Sequence, residues 1–237
     1  MKQLLSMLGI SLLTLAACKG KHDKQNQLSE QDQQAGWVAL FDGKSLAGWH
    51  VYNKGNGPSA WQVVNGELSC IPDPKLEPAD LVSDSSYDNY VLRFEWKISK
   101  GGNSGVFVNV VERADIPAAW ASGPEYQLLD KSHPDSANPI KQPGCLYGFA
   151  PQLHPAASNP TGEWNQGEIK QQNGKISFYL NGIQTAEQDF TLPGWKDSVA
   201  HTFFKNFPEF GAHTSGHIAL QDWRSAVSFR NIAIRKL

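Results

Sequence analysis

Nine residues, Tyr90 to Ile98, alternate without a break. Tyr90, Leu92, Phe94, Trp96 and Ile98 fall on one side, and Val91, Arg93, Glu95 and Lys97 on the other. Successive side chains of a strand point to opposite faces, so this run reads as a strand with one face in a core. It sets the class for the rest of the chain. Trp61–Val64 and Glu67–Leu68 flank an Asn65-Gly66 turn. Glu168–Gln172, Lys175–Leu180 and the residues after Asn181-Gly182 form a meander through two more Asn-Gly turns, which suit the left-handed backbone of tight hairpins. Asp80–Ser83, Val106–Val111, Gly144–Gly148, Gly216–Trp223 and Val227–Leu237 add further strands. Glycine and proline (21 and 14 residues) are spread along the chain. No amphipathic helix longer than two turns, internal repeat or second domain boundary is visible. More than ten short strands joined by turns predict an all-β fold, a two-sheet antiparallel sandwich of jelly-roll kind.

The stretch Gly123 to Asp130 bears most on function. Read as a strand, Tyr126 and Leu128 face the core, while Glu125, Gln127 and Leu129 face away. A carboxylate and an amide one pleat repeat apart fit a sugar-binding sheet, and equally a solvated one. Arg93 and Glu95 carry the same ambiguity, binding groups or a cross-strand ion pair. Asn109 interrupts an apolar strand in which Val106, Val108 and Val110 share a face. It either lines a pocket or holds neighbouring backbone. From Lys131 to about Trp164 the chain is irregular and rich in Pro, His and Asn, and long ordered loops on β scaffolds usually shape a site. His133 lies in it as a second candidate base. Asp130, His133 and Asp135 could ligate a metal, but their spacing matches no strong ligand pattern. No cofactor is expected.

The start of the chain reads differently. After Lys2, residues 4–17 are almost entirely apolar, too short to span a bilayer and right for a signal h-region. The run ends Leu15-Ala16-Ala17-Cys18, which resembles a bacterial lipobox. Residues 1–17 are therefore expected to be a signal peptide, Cys18 the lipidated residue, 18–35 a flexible polar tether, and 36–237 the folded domain, at the cell envelope with its lipid as the only membrane contact. With 21 Lys+Arg against 23 Asp+Glu there is no basic field for nucleic acid. The compartment would permit a disulfide between Cys70 and Cys145, although two isolated cysteines also read as buried small hydrophobes.

Eight short motifs occur in one order. They are Leu40-Phe41-Asp42-Gly43-Lys44-Ser45-Leu46 with Trp49, Asn103-Ser104-Gly105-Val106, Glu125-Tyr126-Gln127-Leu128-Leu129-Asp130, Gly144-Cys145-Leu146-Tyr147, Trp164-Asn165, Leu180-Asn181-Gly182, Leu220-Gln221-Asp222 and Phe229-Arg230-Asn231-Ile232. Together they resemble the 3-keto-disaccharide hydrolase domain, over roughly Trp37 to Leu237. The resemblance implies a concanavalin A-like lectin/glucanase sandwich and cleavage of glycosides already oxidised at C3. It implies site roles for Glu125, Gln127, Asn103 and Ser104, with Tyr147 and Trp164 flanking the groove and Gln221 and Trp223 in the Leu-Gln-Asp stretch. Two positions depart from the family pattern. Asn109 stands where an arginine is frequent, and Trp223 where the motif is usually followed by His.

A ketone at C3 acidifies the C2 hydrogen. One base can remove it, the enolate can expel the C1 substituent, and water can add to the enone. Ordinary glycosidases instead need two carboxylates. The Glu125 strand supplies one, which favours the single-base route with Glu125 as the base or the residue that orients it, and with Arg93, Asn109 and Gln127 on sugar hydroxyls or the enolate. Glu95, on another strand, could complete a pair. Three readings stand at this point: a 3-keto-glycoside-cleaving enzyme, a sugar-binding protein of the same fold, and a conventional glycosidase. The expected partner in each is a small carbohydrate, and self-association is left open.

Overall fold

The computed structural model describes residues 25–237. The apolar leader and Cys18 lie outside the described residues. In chain order the strands are β1 (Trp37–Ala39), β2 (Trp49–Val51), β3 (Trp61–Val64), β4 (Glu67–Cys70), β5 (Leu81–Tyr87), β6 (Tyr90–Ile98), β7 (Asn103–Val110), β8 (Glu125–Leu129), β9 (Asn165–Gln172), β10 (Lys175–Leu180), β11 (Ile183–Asp189), β12 (Gly216–Leu220) and β13 (Val227–Lys236). Two short helices, α1 (Glu30–Gln34) and α2 (Pro193–Ala200), join them. All pairings are antiparallel. One sheet has eight strands in the order β11-β10-β9-β6-β13-β4-β3, with β1 also on β13, and the other has five, β2-β5-β12-β7-β8.

The alternation in β6 explains how the layers meet. Its aromatic side, Tyr90, Leu92, Phe94, Trp96 and Ile98, is buried between the sheets with Val106, Val108, Tyr126 and Leu128 of the five-stranded sheet. Phe94 packs edge-on to Tyr126 at 5.5 Å, and Tyr126 on Phe178 at 5.2 Å, the geometry aromatic quadrupoles favour. The Asn-Gly turns form as expected, with Asn65, Asn173 and Asn181 at φ of 53°, 52° and 49°. Cys70 and Cys145 are both buried and form no disulfide among the described residues. Among the described residues no helix is long and apolar enough to cross a membrane.

Two local expectations change. Val110 does not share a face with Val106 and Val108. Asn109 sits at φ 55° and adds an extra residue to β7, so that Val110 joins Phe107 on the outer side. Its amide crosses the core to the Gln171 side chain at 2.7 Å, and Gln171 in turn holds the Asp88 and Thr214 carbonyls. Asn109 therefore ties the two sheets together. The other change concerns residues 25–34, expected within a flexible tether. Asn26 and Asn231 exchange backbone-to-side-chain hydrogen bonds at 2.7 and 2.8 Å, and Asp32 on α1 pairs with Arg93 at 2.8 Å. Polar pairing rather than apolar burial holds this segment, which is why its composition reads as unstructured.

Candidate functional site

The outer face of the five-stranded sheet can be assembled row by row from its register. Leu220 pairs with Leu81 on one side and Val106 on the other. One position on, Gln221 therefore lies between Asp80 and Gly105, and Gly105 pairs with Gln127. Backbone bonds continue the row: Gln221 N–H donates to the Gly105 carbonyl at 2.9 Å, and Tyr52 N–H to the Asp80 carbonyl at 2.9 Å. The result is a polar line across the sheet, Tyr52–Asp80–Gln221–Gly105–Gln127. Glu125 pairs with Phe107 two rows on, the next position on this face, and leans its carboxylate over Gly105, where any Cβ would overlap it. Glycine is needed at 105 so that the acid can lie flat against the sheet.

Two acids are thus buried on one face. Asp80 is 7% exposed and Glu125 8%. Asp80 accepts from the Asp222 N–H at 3.1 Å and from the Ala119 N–H. Burial still dominates and, with the neighbouring Asp222 charge, pushes its carboxyl up to about 7. Burial, followed by the charge on Asp80, raises Glu125 well above the usual carboxylate range. The Gln127 amide, oriented to satisfy its surroundings, donates to Glu125 Oε1 at 2.9 Å and to the Ser104 carbonyl at 3.1 Å. Gln221 Oε1, between the acids, is buried with no hydrogen-bond partner among the described residues. An orphaned buried acceptor costs stability unless something supplies a donor.

Beside this row opens a cavity of about 300 Å³, within the range of small-molecule sites. Asp80 and Gln221 form part of its wall, Trp120 and Trp223 line it further out, and Lys54 and Tyr52 also line it. The loop from Val111 to Ser122 covers the apolar remainder of this sheet face. Ile116, Ala119 and Ala121 pack there with Tyr52, Phe107 and Val110.

The residues singled out in the sequence divide between the two outer faces. Glu125, Gln127, Asn103 and Gln221 share the five-stranded face. Trp223 lines its cavity, and Tyr147 is drawn alongside by its N–H bond to the Glu125 carbonyl at 3.1 Å. Arg93, Glu95 and Trp164 do not reach this face. The first two point outward from the eight-stranded sheet, with the whole core between them and Glu125. Arg93 closes on Asp32 and lies 4.2 Å above Trp37. Glu95 binds Arg230 at 2.6 Å and Asn231 at 2.9 Å. Trp164 packs against the cations of Lys97 and Arg230. His133 lies beyond the far end of β8, about 13 Å or more of strand from Glu125, and its Nδ1 accepts from the Asp135 N–H as a turn cap. Asp130 is buried, but Ser132, Thr161 and the Gly101 amide bind it and hold its carboxyl far below the usual range. It pins the loop.

Asp80, Tyr52, Lys54 and Trp120 were not singled out in the sequence. Asp80 opens a strand after Pro78-Ala79, and an acid ahead of an apolar strand is an ordinary surface pattern. Only the β5-β12-β7 order, which joins strands far apart in sequence, puts it across from Gln221.

Comparison with known proteins bears on the fold and the family. The model of the 3-keto-alpha-glucoside-1,2-lyase-like domain matches residues 36–235. A 3-keto-disaccharide hydrolase of Bacteroides thetaiotaomicron is 30% identical, the match covering 85% of this chain and 79% of that protein. Two crystal structures from Parabacteroides distasonis, both provisionally assigned as glycosyl hydrolases, superpose closely. One has a TM-score of 0.82 at 30% identity, over 90% of this chain and all of the other, and the second 0.65 at 26%, over 85% and 99%. Eight motifs in order, a sandwich shared with these proteins and a match spanning nearly the whole described chain agree: the chain belongs to the 3-keto-alpha-glucoside-1,2-lyase-like domain family.

Proposed function

We propose that the protein cleaves 3-keto-glycosides by removing the C2 proton, with two buried acids in different protonation states. The observation that carries this is the row Asp80–Gln221–Gly105, in which Asp80 and Gln221 line a cavity, Glu125 lies over Gly105 beside it, and the Gln221 Oε1 acceptor is buried with no partner among the described residues. Both carboxyls are raised but not equally supported. Asp80 has two backbone N–H donors that favour its anion. Glu125 has one amide and the negative charge of Asp80 against it. Asp80 therefore gives up its proton before Glu125, and the singly ionised pair carries its proton on Glu125 and its charge on Asp80.

Those states suit the elimination. Asp80 takes the C2 proton, and the protonated Glu125 donates a hydrogen bond to the C3 oxygen as negative charge builds there. The C1–O bond breaks, C1=C2 forms and C3=O is restored. The proton on Asp80 passes to the departing oxygen, and water then adds across the enone, OH at C1 and H at C2. Gln221 Oε1 accepts from a sugar hydroxyl. Glu125, expected as the base or the residue that orients it, is thereby given the role of hydrogen-bond donor, and the base moves to Asp80. A conventional two-carboxylate glycosidase fits less well. Glucanases of this kind of sheet carry several carboxylates along one strand, whereas β8 supplies only Glu125, and Asp80 stands at the head of β5 with β12 and β7 between them.

The test is to incubate the protein with matched 3-keto and unoxidised glycosides and follow release of the leaving group. Release from the 3-keto substrates alone supports the proposal, and release from the unoxidised ones alone overturns it. A lipid at Cys18, read from the sequence motif only, remains part of the proposal. Fatty-acid labelling lost in Cys18→Ser tests it.

A further inference from the structure

The cavity is polar at its floor and aromatic at its mouth. Trp223 follows Gln221 by two residues and lines the cavity while 56% exposed. Trp120, on the loop that roofs the sheet, lines it as well. Trp120 is braced by Phe207, edge-on at 4.7 Å, and Phe203 lies 6.1 Å beyond at 36° to its ring, 64% exposed. Trp223 and Phe203 are the most exposed aromatic side chains among the large exposed hydrophobic residues described. Large exposed aromatics continuous with a polar pocket mark a surface that meets something flat and apolar.

We infer that Trp223 and Trp120, extended by Phe203, form a platform for the leaving group of the substrate, and that this group presents a flat apolar face: a second pyranose ring or an aryl aglycone. This rests on the proposed placement of the reacting sugar against Asp80 and Gln221. With C1 and C2 held at that wall, the group on C1 is the part of a substrate that extends toward the mouth. The C–H face of a pyranose and the face of an aryl ring both stack on indole. Neither requires a charge, and Lys54 and the Arg224–Glu77 pair border the site without entering the stack. A small alkyl leaving group would leave the platform bare.

Binding can be tested without turnover. Unoxidised methyl glucoside, phenyl glucoside and a glucosyl disaccharide are titrated against the wild type, Trp223→Ala and Trp223→Phe. The wild type is expected to bind at least one of the flat-faced ligands about tenfold more tightly than the methyl glucoside. Trp223→Ala should remove most of that preference and Trp223→Phe keep most of it. Preference for the disaccharide identifies a sugar ring as occupant; preference for the phenyl glucoside alone identifies an aryl group. Equal binding of all three by the wild type, or equal weakening of all three in Trp223→Ala, overturns the inference. Because these ligands need not react, the result stands apart from whether 3-keto substrates are cleaved.

Discussion

The sandwich has two outer faces with similar-looking sequences and opposite electrostatics. On the eight-stranded sheet, β6 turns out Arg93, Glu95 and Lys97, and each closes on a partner: Asp32, Arg230 and Glu67 at 2.6–2.8 Å. Asp32 shows the consequence. Its hydrogen bond to Arg93 lowers its carboxyl to about 2. On the five-stranded sheet, Asp80 and Glu125 are buried and form no ion pair among the described residues, and both carboxyls rise. Paired charges on a half-solvated face are settled, whereas buried acids without counter-ions can exchange protons near neutral pH. The contrast separates a structural face from a chemical one more clearly than residue type does.

The contrast is most exposed at Glu125. Replacing it with Leu removes a donor to the developing oxyanion and should cut kcat on 3-keto-glycosides by about 10² to 10³. Glu125→Gln keeps an N–H donor and should lose clearly less. Equal losses in the two variants would show that donation is not the role of Glu125. Gly105→Ala asks the same of position. Its Cβ would displace the Glu125 carboxylate, with an expected loss of about tenfold or more in kcat. Wild-type turnover in a folded Gly105→Ala protein would mean that the lie of Glu125 over the sheet is unimportant.

Stability should move the other way. The folded carboxyl of Asp80 stands at about 7 against an ordinary 3.8. The native state therefore holds a proton that the unfolded state releases, and Asp80 costs stability increasingly as pH rises from about 4 to 7. Asp80→Asn has no such titration. Its melting temperature should exceed that of the wild type at pH 8, by a free energy of about 1–3 kcal/mol, with the gap narrowing toward pH 5. A gap independent of pH would contradict an elevated Asp80. The smallest effect belongs to the other face. Arg93→Ala should cost at most about 1.5 kcal/mol of stability and leave kcat/KM within about twofold. A large activity loss there would place chemistry on the eight-stranded sheet after all.

What the sequence made legible was local. The strand Tyr90–Ile98 and the Asn-Gly hairpins follow from period-two alternation and from turn residues that tolerate positive φ, both readable within ten residues. The two faces of β8 were equally plain, with Tyr126 and Leu128 inward and Glu125 and Gln127 outward. Three things were hidden because they depend on contacts between distant segments. Arg93 and Glu125 look alike, a charge on an alternating strand, until the sheet order puts them on opposite faces. Asn109 reads equally as a pocket residue or as a holder of neighbouring backbone until a bulge turns its amide toward Gln171. Asp80 acquires its elevated carboxyl from burial and from the charge of its neighbour Asp222, neither of which its own strand announces.

The most direct measurement is hydrogen exchange at C2. In D2O, a 3-keto-glycoside incubated with the wild type should yield product carrying deuterium at C2, beyond the amount that spontaneous exchange in buffer introduces. Asp80→Asn, which should still fold, is expected to lower the rate of that incorporation by about 10² or more. Cleavage with no deuterium at C2, or incorporation at the wild-type rate in Asp80→Asn, would contradict the account.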